Sequence, residues 1–164
     1  MKRKSLVIIF AIAILVIIGI FIFSKKDQEP TFTFDPADTS IYYETGAEIE
    51  EWGKYTFEIK KGGESTFNSY KDYKLNKTHT FQTSLAEFKK ILDAIAKNNF
   101  LSLQEEYTDP SFVNGGYNII TIYYGDKSKT VRLNNYYLEP FDEIEFAINK
   151  IIYEKIEGDP YSFK

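Results

Sequence analysis

The chain of 164 residues contains no cysteine and a single histidine, His79. Without cysteine it has no disulfide, no cysteine-ligated metal, no thiol nucleophile and no lipid-modified cysteine anchor. One histidine cannot build a multi-histidine metal site, and no Gly-x-Ser-x-Gly segment is present to support a serine triad. We therefore interpret His79 as a surface residue, and we predict no catalytic residue, no cofactor and no metal.

The sequence also lacks an excess of positive charge. It holds 20 Lys and Arg against 24 Asp and Glu, for a formal net charge of −4. A protein that binds nucleic acid neutralises phosphates with surplus cations, which this chain does not have. Nucleic acid is therefore not an expected partner.

Charged and polar side chains are missing altogether from the segment Leu6–Phe23. As a helix these residues would be about 27 Å long, close to the roughly 30 Å hydrocarbon core of a bilayer. Lys2, Arg3 and Lys4 precede the segment, and Lys25 and Lys26 follow it. The cation count favours a cytoplasmic N-terminus, so we predict a single-pass signal-anchor within residues 1–24.

A cleaved signal peptide is the alternative interpretation of this segment. Such peptides have a shorter apolar stretch, about 7–15 residues, followed by a cleavage site with small side chains. Here the bulky residues Ile20–Phe23 stand where small ones are needed. An uncleaved anchor is favoured, with a tether over residues 25–40 and an extracytoplasmic domain over residues 41–164.

The part after the anchor has the composition of a folded domain. It contains all 13 Tyr, 11 of the 14 Phe and the only Trp, with 17 basic residues against 24 acidic ones. This aromatic content differs from that of disordered segments.

The pattern of apolar residues predicts strands on both sides of a helix. Tyr55–Ile59 alternates as a half-buried strand does, whereas Ser84–Glu87 has capping-box spacing and is followed by apolar residues at helical intervals. The predicted strands are Ile41–Tyr43, Tyr55–Ile59, Ser65–Tyr70, a segment within Tyr73–Gln82, Tyr117–Tyr124 and Thr130–Leu133; the helices begin at Ser84 and Pro140, and a turn covers Gly125–Lys129. Because hairpins dominate, we predict an α+β domain: an antiparallel sheet of about five strands with two helices on one face.

Two segments carry a family resemblance: the strand Tyr55–Ile59 with its glycine turn, and the segment Asn99–Leu103 that ends the Ser-led helix. With the later hairpin and Pro-led helix, the succession over Ile41–Ile156 resembles a family of uncharacterised extracytoplasmic bacterial domains. Many members carry a Cys-Phe-Gly-x-Cys-Pro stretch before the Tyr-led strand, where this chain reads Glu50–Lys54. The resemblance implies a domain of unknown function outside the cytoplasm.

Three acidic clusters are the candidates for chemistry. They are Glu48, Glu50 and Glu51; Glu105, Glu106 and Asp109; and Asp142, Glu143 and Glu145. Clusters of charged residues such as these usually lie on the solvent-exposed surface of a protein. A weak calcium site near Glu105–Gly116, or an acid pair such as a glycosidase uses, is the open alternative.

Paired tyrosines are the candidate partner-binding surface: Tyr123, Tyr124, Tyr136 and Tyr137. Neighbours in a strand point to opposite faces, so one ring of each pair would face outward and could grip a protein, peptide or glycan ligand. Strand propensity alone also explains such pairs. We predict a single-pass membrane-anchored protein with an extracytoplasmic binding or interaction domain that is not catalytic. The alternative is a cell-envelope hydrolase that uses a pair of carboxylates.

Overall fold

The computed structural model of the protein describes residues 33–47, 53–111 and 115–160. The predicted transmembrane segment Leu6–Phe23 and the first half of the predicted tether, residues 25–32, lie outside these ranges. No helix within them has the length and apolar character needed to span a bilayer.

The described residues form seven strands and two α-helices. The strands are β1 (Thr39–Ala47), β2 (Lys54–Ile59), β3 (Glu64–Lys71), β4 (Lys74–Gln82), β5 (Glu106–Thr108), β6 (Gly116–Tyr124) and β7 (Lys127–Asn134). The helices are α1 (Leu85–Lys97) and α2 (Glu139–Lys155), and a 3₁₀ helix covers Phe100–Ser102. The α+β class predicted from the sequence is confirmed.

The sheet is larger than predicted, and it is mixed. Its strand order is β4-β3-β2-β1-β6-β7-β5, with every neighbouring pair antiparallel except β5 and β7, which are parallel. The prediction of about five antiparallel strands is therefore wrong. β5 was missed because three residues are too few for an alternating pattern; side-chain bonds from Asn134 to Glu106 (2.8 Å) and Thr108 (3.2 Å) support it instead.

The β6–β7 turn is shorter than predicted. It consists of Gly125 and Asp126, and β7 begins at Lys127 rather than at Thr130. Gly125 has a φ of 60°, the left-handed conformation that two-residue hairpin turns require. The first residues of β7 are polar, so their composition resembles that of a turn, and the structure leaves them largely exposed.

A single hydrophobic core joins one face of the sheet to both helices. In β1, buried residues such as Ile41 and Tyr43 alternate with half-buried ones. The residues paired with Ile41 and Tyr43 in β2 and β6 are buried as well. The largest fully buried side chains are Tyr43, Phe57, Phe67, Phe88, Phe100 and Phe141, with Ile41, Ile59, Ile91, Ile95, Ile120 and Ile122. The alternate residues of the strands, such as Tyr42 and Glu44 in β1, lie on the opposite face of the sheet.

α1 begins with the predicted capping box. The Ser84 Oγ accepts from the Glu87 backbone N–H at 3.3 Å, and Glu87 Oε2 accepts from the Ser84 N–H at 2.7 Å. Glu87 Oε1 also lies 2.9 Å from Lys155 Nζ, in the last turn of α2. One carboxylate thus caps α1 and links it to α2.

β4 lies at one edge of the sheet. Most of its side chains are exposed, including those of Lys74 and Lys77, and β3 is its neighbour among the described strands. The pairing shifts register between Ser69 and Tyr70 of β3. At the other edge, β5 has only three residues.

Candidate functional site

A cleft of about 350 Å³ opens at the end of the sheet where β6 begins and β7 ends. It is lined by Gly116, Asn118, Leu133, Asn135, Tyr136, Tyr137, Leu138, Phe141, Asp142 and Glu145. Its floor is apolar, and its walls come from the β7–α2 loop and the first turns of α2. We refer to this feature as the cleft.

The backbone around Asn135 shapes one wall of the cleft. Asn135 has a φ of 52°, a conformation that asparagine tolerates better than most residues, and its N–H donates to the Gly116 carbonyl at 2.9 Å. A Cβ at Gly115 would lie 1.3 Å from Asn135 Oδ1, so any other residue at this position would displace the Asn135 side chain. The chain turns sharply here and leads directly into Tyr136.

The two tyrosines of this loop present aromatic surface to the cleft. The Tyr136 ring packs against Tyr107 of β5, with 5.5 Å between ring centroids, and Tyr136 remains 43% exposed. Tyr137 is 72% exposed. One ring is therefore held by a neighbour, while the other is open to a ligand.

Two carboxylates of α2, those of Asp142 and Glu145, also line the cleft. Asp142 and Glu145 are three residues apart, which places them on the same side of the helix. The Tyr43 hydroxyl, from the core, donates to Glu145 Oε1 at 2.6 Å, and Asn118 Nδ2 lies 3.5 Å from Oε2. Burial raises the pKa of Glu145, the Tyr43 hydrogen bond opposes that rise, and the charge of Asp142 adds to it.

The role of Glu145 was missed in the sequence, although a signal was present. The sequence pattern predicts that Glu145, with Asp142 and Glu143, belongs to a solvated acidic cluster in the first turns of the helix. Glu145 is four residues after Phe141 and three before Ile148, both of which are buried. That spacing places it on the apolar stripe, unlike Glu143, which bonds Lys97 (2.8 Å) of α1.

The structure separates the four predicted binding tyrosines into different places. Tyr123 and Tyr124 point to opposite faces of β6, as expected; Tyr123 is 48% exposed, and Tyr124 packs edge-on against Phe34 at 5.8 Å. Both lie at the end of β6 away from the cleft. Tyr136 and Tyr137 lie in a loop, so the strand interpretation of this pair is wrong, and they both line the cleft.

A second polar group lies on the sheet face opposite the helices. Glu44 accepts hydrogen bonds from the hydroxyls of Tyr42 (2.5 Å) and Tyr117 (2.8 Å), and Lys54 Nζ lies 3.7 Å from it. The Arg132 guanidinium lies 5.0 Å from the centre of the Tyr117 ring. Burial, followed by the bond to Glu44, raises the pKa of Tyr117. Because these groups satisfy one another, we interpret them as structural.

The other candidates for chemistry do not converge in the described part of the chain. Glu106 bonds Asn134, and Asp109 bonds Ser111, whose side chain and N–H hold the pKa of Asp109 below its usual value. His79 is half-buried beside the Phe67 ring. No three His, Asp or Glu side chains there are grouped as metal ligands. The cluster of Glu48, Glu50 and Glu51 lies outside the described residues.

Comparison with known proteins matches most of the domain to one family. No curated protein matches the chain. The family described as "Domain of unknown function (DUF6438)" matches residues 39–152, from the first residue of β1 into α2, and so includes every residue that lines the cleft. The expectation of a domain of unknown function is confirmed, whereas the resemblance to the family with the Cys-Phe-Gly-x-Cys-Pro stretch stays a prediction. The chain belongs to the DUF6438 family.

Proposed function

We propose that this protein is a non-catalytic binding module and that the cleft is its binding site. The observation that carries the proposal is the convergence of exposed aromatic rings, side-chain amides and carboxylates over an apolar floor. Ligand pockets generally combine an apolar lining with a few polar groups that orient the ligand. The cleft, at about 350 Å³, is in the size range of such pockets.

The arrangement of the carboxylates favours binding over hydrolysis. A glycosidase holds its two carboxyl groups on either side of the scissile bond. Asp142 and Glu145 instead come from one wall, on consecutive turns of α2. The raised pKa of Glu145 suits a general acid and keeps the carboxylate-pair hydrolase as the second candidate.

We further propose that the module is tethered to a membrane and faces outward. The unbroken apolar run Leu6–Phe23 and the cations before it support this placement. Protease added to intact cells is then expected to digest the domain and leave a short membrane fragment. Digestion only after lysis would overturn the orientation.

Binding is tested with the full-length protein in detergent, labelled with ¹⁵N at asparagine side chains. Three probes represent three chemical classes: butane-1,4-diamine, N-acetylglucosamine and inorganic phosphate. We expect at least one probe to shift the Asn118 and Asn135 amides saturably, while Asn68, on the opposite sheet face, stays unchanged. If no probe shifts these amides, the cleft is not a binding site.

A chromogenic glycoside of N-acetylglucosamine distinguishes binding from hydrolysis. We expect no release of the chromophore. Release by the wild-type protein that is abolished by Glu145→Gln would replace the binding module with the hydrolase.

A further inference from the structure

We infer that the cleft recognises a cationic group, an ammonium or guanidinium on an alkyl stem, between the carboxylates of α2 and the tyrosines of the β7–α2 loop. This inference rests on the proposed function, and it names the chemical class of the ligand. A lysine or arginine side chain of a partner protein and a small free polyamine share this chemistry.

The charges around the cleft have one sign. Among the described residues that line it, Asp142 and Glu145 are acidic and none is basic. The neighbouring cation Lys97 is engaged by Glu143, at 2.8 Å, beside α1. Arg132 and Lys54 lie with Glu44 on the opposite face of the sheet. An anionic ligand would therefore meet like charge, whereas a cation would meet two uncompensated carboxylates.

Glu145 is held in place before any ligand arrives. Tyr43 is only 1% exposed, and its hydroxyl fixes Oε1 at 2.6 Å from the core side. Asn118, at 3.5 Å, flanks the other oxygen. Burial raises the pKa of Glu145, so its charged form is disfavoured until a positive partner compensates it. A charge-assisted hydrogen bond from a cation supplies that compensation.

Tyr136 and Tyr137 in the lining of the cleft suit the same class of ligand. A cation within about 6 Å of a tyrosine ring face is attracted by the ring quadrupole. Tyr137 is 72% exposed, and Tyr136 is oriented by Tyr107. The apolar floor of Leu133, Leu138 and Phe141 offers contact to the alkyl stem that carries the charge.

A neutral sugar is the strongest competing ligand, because aromatic rings and amides also serve sugars. It brings no charge to a cleft whose charged lining residues, Asp142 and Glu145, are both acidic, so it gains no charge-assisted hydrogen bond there. Matched probes that differ only in charge therefore test the inference directly.

The experiment measures affinity of the full-length protein by titrating the Asn118 and Asn135 amide signals. Nα-acetyl-lysine methylamide is compared with Nα-acetyl-norleucine methylamide, which has the same stem without the charge. We expect the charged probe to bind at least tenfold more tightly. Butane-1,4-diamine serves as the free amine; the tighter of the two cations identifies a side chain or a small polyamine as the source.

Three variants locate the interaction. Glu145→Gln and Asp142→Asn, which conserve shape, are each expected to weaken binding of the charged probe by about tenfold. Glu143→Gln removes a charge from the same helix outside the cleft and is expected to change affinity less than twofold. Amide dispersion in each spectrum establishes that the variant is folded.

Different results would contradict the cationic ligand and the binding module itself. Equal binding of the charged and neutral probes, or binding of N-acetylglucosamine or phosphate alone, would overturn the cation inference and leave the binding module standing. The absence of binding by every probe would overturn both.

Discussion

At the scale of single residues, neighbouring tyrosines with the same side chain have different roles. Tyr124 shares the core-side face of β6 and contacts Phe34, whereas Tyr123 is 48% exposed on the other face. Sequence alternation predicted that one ring of each pair would face inward, but it could not say which.

We expect Tyr124→Ser to lower the free energy of unfolding by about 2 kcal/mol, because it removes a packed ring from the edge of the core. Tyr123→Ser should cost less than about 0.5 kcal/mol, as exposed substitutions do. Urea denaturation of the two variants measures both values. Equal losses would show that Tyr123 is covered as well.

The candidate site shows which residues a sequence can reveal. Tyr136 and Tyr137 stand out in the sequence as paired aromatic residues, and both line the cleft. Asn118 and Asn135 were not recognised, because their positions depend on the β6–β7 register and on the left-handed backbone at Asn135. Strand register depends on pairing between distant residues, and a left-handed backbone depends on the local conformation, so neither can be read from a local sequence pattern.

At the scale of elements, the two helices were predicted well, whereas the extent of several strands was not. The nine-residue β1 (Thr39–Ala47) was predicted only over Ile41–Tyr43. Both helices began where the cap signals indicated, at Ser84 and beside Pro140. β5 was missed because it depends on pairing with β7 rather than on its own pattern. The mixed character of the sheet was missed for the same reason.

The capping box of α1 yields an expectation with a defined pH dependence. The bonds from Ser84, then that from Lys155, lower the pKa of Glu87 from 4.5 to about 2. Its charge therefore stabilises the fold fully above pH 4.5, and this contribution is lost as pH falls toward 2. Glu87→Gln should cost about 1 kcal/mol at pH 7, and the difference from wild type should shrink below pH 4.5.

Urea titrations at several pH values measure this effect. Asp93→Asn, which removes an exposed partner of Lys89, is the matched control and should cost less than about 0.5 kcal/mol at any pH. A constant difference for Glu87→Gln down to pH 3 would contradict a role for the charge.

At the scale of the whole molecule, the folded unit begins before the boundary predicted at Ile41. Thr39 is buried and its hydroxyl donates to the Asp35 carbonyl at 2.7 Å, while Gly125 N–H donates to the Asp38 carbonyl at 3.2 Å. Phe34 packs on Tyr124. Part of the predicted tether therefore belongs to the domain.

A fragment of residues 33–160 should be more stable than one of residues 41–160 by about 3 kcal/mol, because the shorter one loses these bonds and apolar contacts. Chemical denaturation of both fragments tests this. Phe34→Ala in the longer fragment separates the ring contact from the hydrogen bonds. Equal stability of the two fragments would show that the folded domain begins at Ile41, as the sequence predicts.

The edges of the sheet affect how readily two copies of the chain could pair through their backbones. An unpaired strand edge is a template on which another chain can add a strand and start an aggregate. In the described part of the protein, β5 pairs with only Arg132–Asn134 of β7 at one edge of the sheet. The other edge, β4, carries Lys74 and Lys77. Bringing two copies together along β4 would force these like charges into proximity, which disfavours pairing of copies through this edge.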